Sequence, residues 1–228
     1  MAEPVNEVPV DRTGFQTAGY YAEPPELLAR NISTGTRLLC ASLFSFFGAF
    51  LFAYVYLRER DTSGVWRPHG VNVPLGTGIA ILACVLASAA VTALAVTTLR
   101  SRGEAAWRVP VAGAELLLLA ALGIQCYQWA VLGFGPGSGP WASVFIAWTG
   151  FYAGFFLPTA IYWAHTNLAS SLRRREQRPG DVVAVADHPT EQSPFRARLG
   201  SEASSRAFYL YFLAGVEVVT FILLYIVA

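Results

Sequence analysis

The sequence has no lysine, one methionine, three histidines and three cysteines, and only 14% of its 228 residues are charged. Each shortage excludes something. A soluble domain of this length needs nearer a quarter of its residues charged to cover its surface. A haem held within a bilayer needs axial histidine or methionine ligands. The single methionine is Met1, His69 and His188 stand in polar segments, and His165 stands at the end of an apolar run. Zinc, copper or iron needs His, Cys and carboxylate groups gathered at ligand spacing. Cys40, Cys84 and Cys126 lie singly in apolar runs without CxxC or CxH spacing, as small packing residues do. No glycine-rich phosphate loop and no nucleophile–base pair is present. The chain is therefore not expected to catalyse electron transfer or hydrolysis, or to hold a metal or cofactor of its own. Its net charge of +1 gives no reason to expect nucleic acid.

What is present is apolar surface, at 54% of residues, gathered into runs. A helix crossing a hydrocarbon core needs about 20 apolar residues. Five stretches qualify, at about 38–57, 73–99, 109–132, 141–166 and 207–228. The reading is an all-α, polytopic bundle of five transmembrane helices over residues 35–228, behind a polar tail at 1–34. No cleaved signal peptide is expected, because no basic-then-apolar leader precedes the first span. Arg173 opens a polar loop, 173–206, that reads as flexible and cytoplasmic. Thirteen of the sixteen arginines fall on the N-terminal side of the bundle, against Arg58, Arg60 and Arg67 on the other. That asymmetry places the N-terminus inside and the C-terminus outside. Arginine in place of every lysine, with abundant alanine and glycine, fits a GC-rich bacterial genome.

Polar groups at depth are costly to bury and so informative. Glu217 lies ten residues into the fifth span, about 15 Å at 1.5 Å per residue. Tyr152 lies at similar depth in the fourth, and a hydrogen bond from Tyr152 to Glu217 is expected. The rival placement has Glu217 facing another subunit or a lipid. Glu115, about 9 Å into its span, is read as snorkelling to the interface. Gln125 and Gln128 are expected to bond across to the fourth span. Trp129 and Trp141 flank a Gly/Pro-rich turn, 133–140, where interfacial anchoring is the default. A stripe of small residues, Gly76, Ala80, Cys84, Ser88 and Thr92, suggests close helix approach in the second span, as do Gly150 and Gly154 in the fourth. Pro158 should kink the fourth helix.

Two strings carry a resemblance. Gly123-Ile-Gln125-Cys-Tyr127-Gln-Trp129, followed after a short turn by Ser143-Val-Phe145-Ile-Ala-Trp-Thr149-Gly150-Phe151, resembles the subunit III family of haem-copper oxidases. That family's pattern is G-x-Q-x-Y-E-W, then S-x-F-x-x-x-T-G-F-H. Phe46 to Tyr54 resembles its F-F-x-x-F-x-x-A-Y, and Glu202-Ala203 with Phe208 to Phe212 resembles its E-A and Y-W-H-F stretches. Five helices running N-in to C-out also suit the shorter bacterial members. The resemblance implies a non-catalytic subunit, on the flank of a haem-bearing subunit I, in aerobic respiration. Haem and copper would sit in the partner subunits, and this chain would hold phospholipid and support proton uptake.

The sequence departs from the family at its ionisable positions. Leu43 follows Ser42 where a buried Glu is usual, and Gln128 replaces the Glu of the tryptophan motif. Tyr152, Phe155 and Tyr211 stand where the family has His. Other classes fit the same residues: an accessory subunit of a nitric-oxide reductase, a small transporter coupled through Glu217, or a structural membrane protein.

Overall fold

The structure, a computed structural model, describes residues 25–62, 64–67, 74–102, 104–176 and 194–227. No strand occurs among them. In a bilayer each backbone N–H and C=O must find its partner within the chain, and the helix achieves this locally. The elements are α1 (Pro25–Glu59), α2 (Leu75–Arg102), α3 (Glu104–Ala130), α4 (Pro140–Phe151), α5 (Leu157–Glu176) and α6 (Pro194–Phe221). A π turn, Tyr152–Phe156, joins α4 to α5, and another, Ile222–Ile226, extends α6. Five stretches are long and apolar enough to cross a membrane: Arg30–Glu59, Leu75–Ser101, Ala106–Ala130, Pro140–Thr166 and Gly200–Ile226. The protein is an all-helical, multi-pass membrane protein.

The helices outrun the apolar runs that announce them. α1 begins at Pro25 and α6 at Pro194, whereas hydropathy places the spans from 38 and 207. Hydropathy stops at the last apolar side chain, but the backbone ladder continues through polar turns. Part of the expected 173–206 loop is thus helical, since α5 reaches Glu176. Residues 177–193 and 1–24 lie outside the described residues, as do His69 and His188.

α2 packs antiparallel on α3, α6 packs on both α1 and α2, and the α4–α5 helix touches α1, α3 and α6. In the fourth and fifth spans half of the most apolar stretch is buried, against 22% in α1. The fourth and fifth spans are therefore central, and α1 forms a rim. On α1, Leu38, Phe44 and Phe52 are exposed, as lipid-facing side chains should be. Its other face packs Phe47 edge-on to Trp148 at 5.1 Å, and Tyr54 edge-on to Trp66 at 5.3 Å.

The expected small-residue stripe of α2 is buried only in its second half, at Ser88 and Thr92. Gly76 is exposed, and nothing lies within 4 Å of where its Cβ would be. The buried line is Gly78, Ile81, Val85, Ser88, Thr92 and Ala95, a heptad-like spacing of alternating three and four residues. Gly78 is the true notch: a Cβ there would sit 2.5 Å from the Tyr225 ring. Gly150 and Gly154 also meet open space, so no helix among the described residues uses them for close approach.

Pro158 has no N–H and its ring crowds the preceding turn. The chain accommodates it with the π turn just before it, in which Leu157 N–H donates to Tyr152 O. At the far end of α6, Val227 N–H donates to Ile222 O at 2.9 Å, leaving the Leu223 carbonyl free. The Tyr54 hydroxyl donates to that carbonyl at 3.0 Å and so ties α1 to α6.

The turn between α3 and α4 is a single 3-10 turn, Pro136–Ser138. Ser143 Oγ donates back to the Pro136 carbonyl, and Gly139 adopts φ +148° directly before Pro140 opens α4. Trp141 is fully buried here, against Phe134 and Phe145, with the Arg67 guanidinium 5.4 Å from its ring centroid. The expected interfacial anchor is thus a core residue, because the 61–67 segment folds over it: Trp141 N–H donates to Trp66 O.

Candidate functional site

Three helices meet at a buried junction near the end of the bundle that carries the α3–α4 turn. Gln125 Nε2 donates to Gln128 Oε1 at 2.8 Å, and the Tyr225 hydroxyl donates to the same oxygen at 3.0 Å. Gln128 Nε2 donates to Thr77 Oγ1 at 2.7 Å, and Thr77 donates onward to the Pro74 carbonyl at 2.9 Å. A side-chain amide supplies an oxygen with two lone pairs and an NH2 donor group. Gln128 uses both kinds at once. A carboxylate at 128 would accept from Gln125 and Tyr225 but could donate nothing to Thr77. The neutral residue at this motif position is therefore matched to its surroundings. Gln125 and Gln128 do not reach the fourth span as expected; Gln125 bonds to Gln128, and Gln128 bonds α3 to α2 and to the end of the fifth span.

The bond to the fourth span comes from Trp129 instead. Its Nε1 donates to Thr149 Oγ1 at 3.1 Å, and Thr149 donates to the Phe145 carbonyl at 2.7 Å. Deeper in the bundle, Trp148 Nε1 donates to Thr220 Oγ1 at 2.9 Å, joining α4 to α6.

Tyr152 and Glu217 come together at mid-bundle, as their depths suggested, and both are buried. Their contact is electrostatic and close. The Tyr152 hydroxyl lies within side-chain hydrogen-bonding reach of Glu217, as expected, although the contact falls short of full hydrogen-bond geometry. The ring stacks on Phe156 at 5.6 Å, within the π turn, and that packing fixes where the hydroxyl points.

At the arginine-rich end a third group forms. Glu115 keeps only 13% of its side chain exposed, so it does not snorkel. It lies 3.5 Å from His165 Nδ1 on α5 and within electrostatic reach of Arg206 on α6. Arg206 is fully buried, with Nε and Nη2 lacking hydrogen-bond partners. The opposed charge of Glu115 offsets part of the cost of burying it. Tyr211, in contrast, is half exposed on the outer face of α6 and belongs to none of these groups.

Sequence reasoning missed Thr77, Gly78, Tyr225, Thr220 and Arg206. A signal existed for Arg206, a lone cation just before an apolar run. None existed for Thr77, whose role depends on how α2 and α3 are registered. Among the described residues no three His, Cys, Asp or Glu side chains converge as metal ligands. The three free cysteines are scattered, with Cys40 buried and Cys126 exposed. No family model and no curated protein matches this sequence.

Proposed function

We propose that the chain is a non-catalytic subunit of the subunit III type in a haem-copper terminal oxidase. In this reading it lies N-in and C-out in a bacterial inner membrane and packs beside the haem-bearing subunit I. Haem and copper belong to the partner subunits, and the chain contributes scaffold, bound lipid and support for proton uptake.

The observation that carries the reading is where the motif residues fall. From the first string, Gln128, held by Gln125, bonds α3 to α2 and to the end of the fifth span, and Trp129 bonds α3 to Thr149 of the second string. Tyr54, from the string in the first span, closes α1 onto the fifth span. Residues that would otherwise be an arbitrary list of apolar and amide types thus have one physical task, locking helices together. A rigid wall of this kind suits a subunit that supports another's chemistry. Glu217, buried beside Tyr152, is the group placed to matter for proton handling.

The test is affinity purification of the tagged chain in mild detergent, with an optical spectrum of the eluate. A haem-bearing partner in stoichiometric amount, reducing oxygen, is the expected result. Elution of the intact chain with no haem protein would overturn the reading.

A further inference from the structure

At the arginine-rich end, polar groups of α2, α3 and α6 stand behind an apolar plug. The plug is Ala95 of α2, Trp107 and Val111 of α3 and Ala203 of α6, all buried and packed together. α2 runs toward this end of the bundle, and α3 and α6 run away from it. Thr92, Glu115 and Arg206 therefore lie about one helical turn deeper than Ala95, Val111 and Ala203. Thr92 and Arg206 are buried, and the Thr92 hydroxyl and Nε and Nη2 of Arg206 have no hydrogen-bond partner. A hydroxyl and a guanidinium both have protons to donate, so this level of the bundle wants an acceptor. The Glu115 carboxylate is the acceptor within electrostatic reach of Arg206.

That carboxylate is turned the other way. Glu115 Oε1 lies 3.5 Å from Nδ1 of His165 on α5, and the imidazole is 70% exposed. This separation exceeds the roughly 2.7–3.2 Å of a good N–H···O bond, so the contact rests on charge more than on hydrogen bonding. An imidazole ordinarily gains or loses its proton between about pH 5 and 8. Charged, it attracts Glu115; neutral, it holds the carboxylate weakly. The buried guanidinium then prevails, because a desolvated charge without its partner is far more costly than an exposed imidazole left to water. The other charged groups nearby do not enter this competition. Arg108 of α3 and Glu202 of α6 have interactions of their own, and Arg100 of α2 and Arg37 of α1 are exposed. Tyr209, the nearest phenol of α6, donates to the Phe156 carbonyl at 3.0 Å.

We propose that Glu115 is a two-position switch set by the protonation of His165. With the imidazole charged, the carboxylate is held on α5; with it neutral, the carboxylate turns inward to Arg206 and Thr92, on α6 and α2. Rotation between staggered side-chain torsions carries Glu115 from one position to the other without displacing a helix. What changes is which neighbour holds α3 at this end of the bundle, a local charge event with a two-state readout. The contact with α5 is favoured in acid and is lost as rising pH removes the imidazole proton. The contact with Arg206 gains as the other is lost. The inference needs only the packing of these helices and is independent of the oxidase reading.

Double-mutant cycles test this, read from denaturant unfolding of the full chain, with whatever subunits accompany it, at about pH 5.5 and about pH 8. The cycle of Glu115→Gln with Arg206→Met should show a coupling of about tenfold in the unfolding constant at the higher pH, falling to about threefold at the lower. The cycle of Glu115→Gln with His165→Gln should run the opposite way. It should give about threefold in acid, as an exposed ion pair does, and no coupling at the higher pH. Should Arg206→Met fail to fold, variants at the exposed His165 carry the test. His165→Arg, charged throughout, should keep a coupling of about threefold to Glu115 at both pH values. His165→Gln should flatten the dependence of stability on pH across this window. Couplings that do not change with pH, or a pH profile that both His165 variants leave as in the unaltered chain, would overturn the proposal.

Discussion

Gly78 and Tyr225 share a single volume, and the aromatic ring occupies it only because the glycine has no Cβ. Gly78→Ala should displace the ring from Gln128 and lower stability by about 1–3 kcal/mol, the usual cost of overpacking. Loss of thermal resistance in detergent, with restoration by Tyr225→Leu in the same chain, checks it. The buried hydroxyls give a second contrast. Tyr152→Phe removes a hydroxyl whose contact with Glu217 falls short of full hydrogen-bond geometry and should change stability by less than about 1 kcal/mol. Trp148→Phe leaves the Thr220 hydroxyl unpaired and should cost about 1–3 kcal/mol. Equal effects from the two would sink this account. At this scale the sequence showed which polar residues mattered but not their partners. Gln125, Gln128, Tyr152 and Glu217 stood out because polar atoms at depth are costly. Thr77 and Thr220 did not, since threonine bonds readily to its own helix and carries no mark of a distant partner.

Two helices are lengthened by a π turn, and each turn has a local cause or consequence. One stands just before Pro158, where the sequence places a kink. The other, at the end of the fifth span, frees the Leu223 carbonyl, which then depends on Tyr54. Tyr54→Phe should therefore cost about 1–2 kcal/mol through an orphaned carbonyl, although it deletes only one oxygen. Unfolding in denaturant, monitored by helical circular dichroism, measures this. The existence and order of all five spans were legible, because apolar runs of this length admit few other readings. Their ends were not, since hydropathy falls before the hydrogen-bond ladder does. The face each helix presents was also hidden. The stripe read along α2 meets the buried line only at Ser88 and Thr92, because small residues occupy several faces of that helix.

Viewed as a whole molecule, the arginine-rich termini of α1, α3 and α6 gather at one end of the bundle, opposite the α3–α4 turn. The proposed N-in orientation makes a direct prediction. With Cys40, Cys84 and Cys126 replaced by alanine, Ser138→Cys should react with a membrane-impermeant maleimide on intact cells. Ser101→Cys should react only after permeabilisation. The reverse pattern would invert the topology. The fold class was readable from composition alone, whereas the three polar groups that cross-link the bundle emerged only from three-dimensional packing.

The junction at Gln128 has a bearing on biogenesis. Spans leave the translocon in chain order, so α2 and α3 pair while Tyr225 is still unsynthesised or in transit. Until the fifth span arrives, Gln128 holds one donor fewer, the Leu223 carbonyl does not exist for Tyr54, and α1 has only α4 to lean on. The fifth span is thus the one that closes the ring. An assembly intermediate halted before it would present unsatisfied amides and hydroxyls to the lipid, a state that membrane quality control is equipped to recognise.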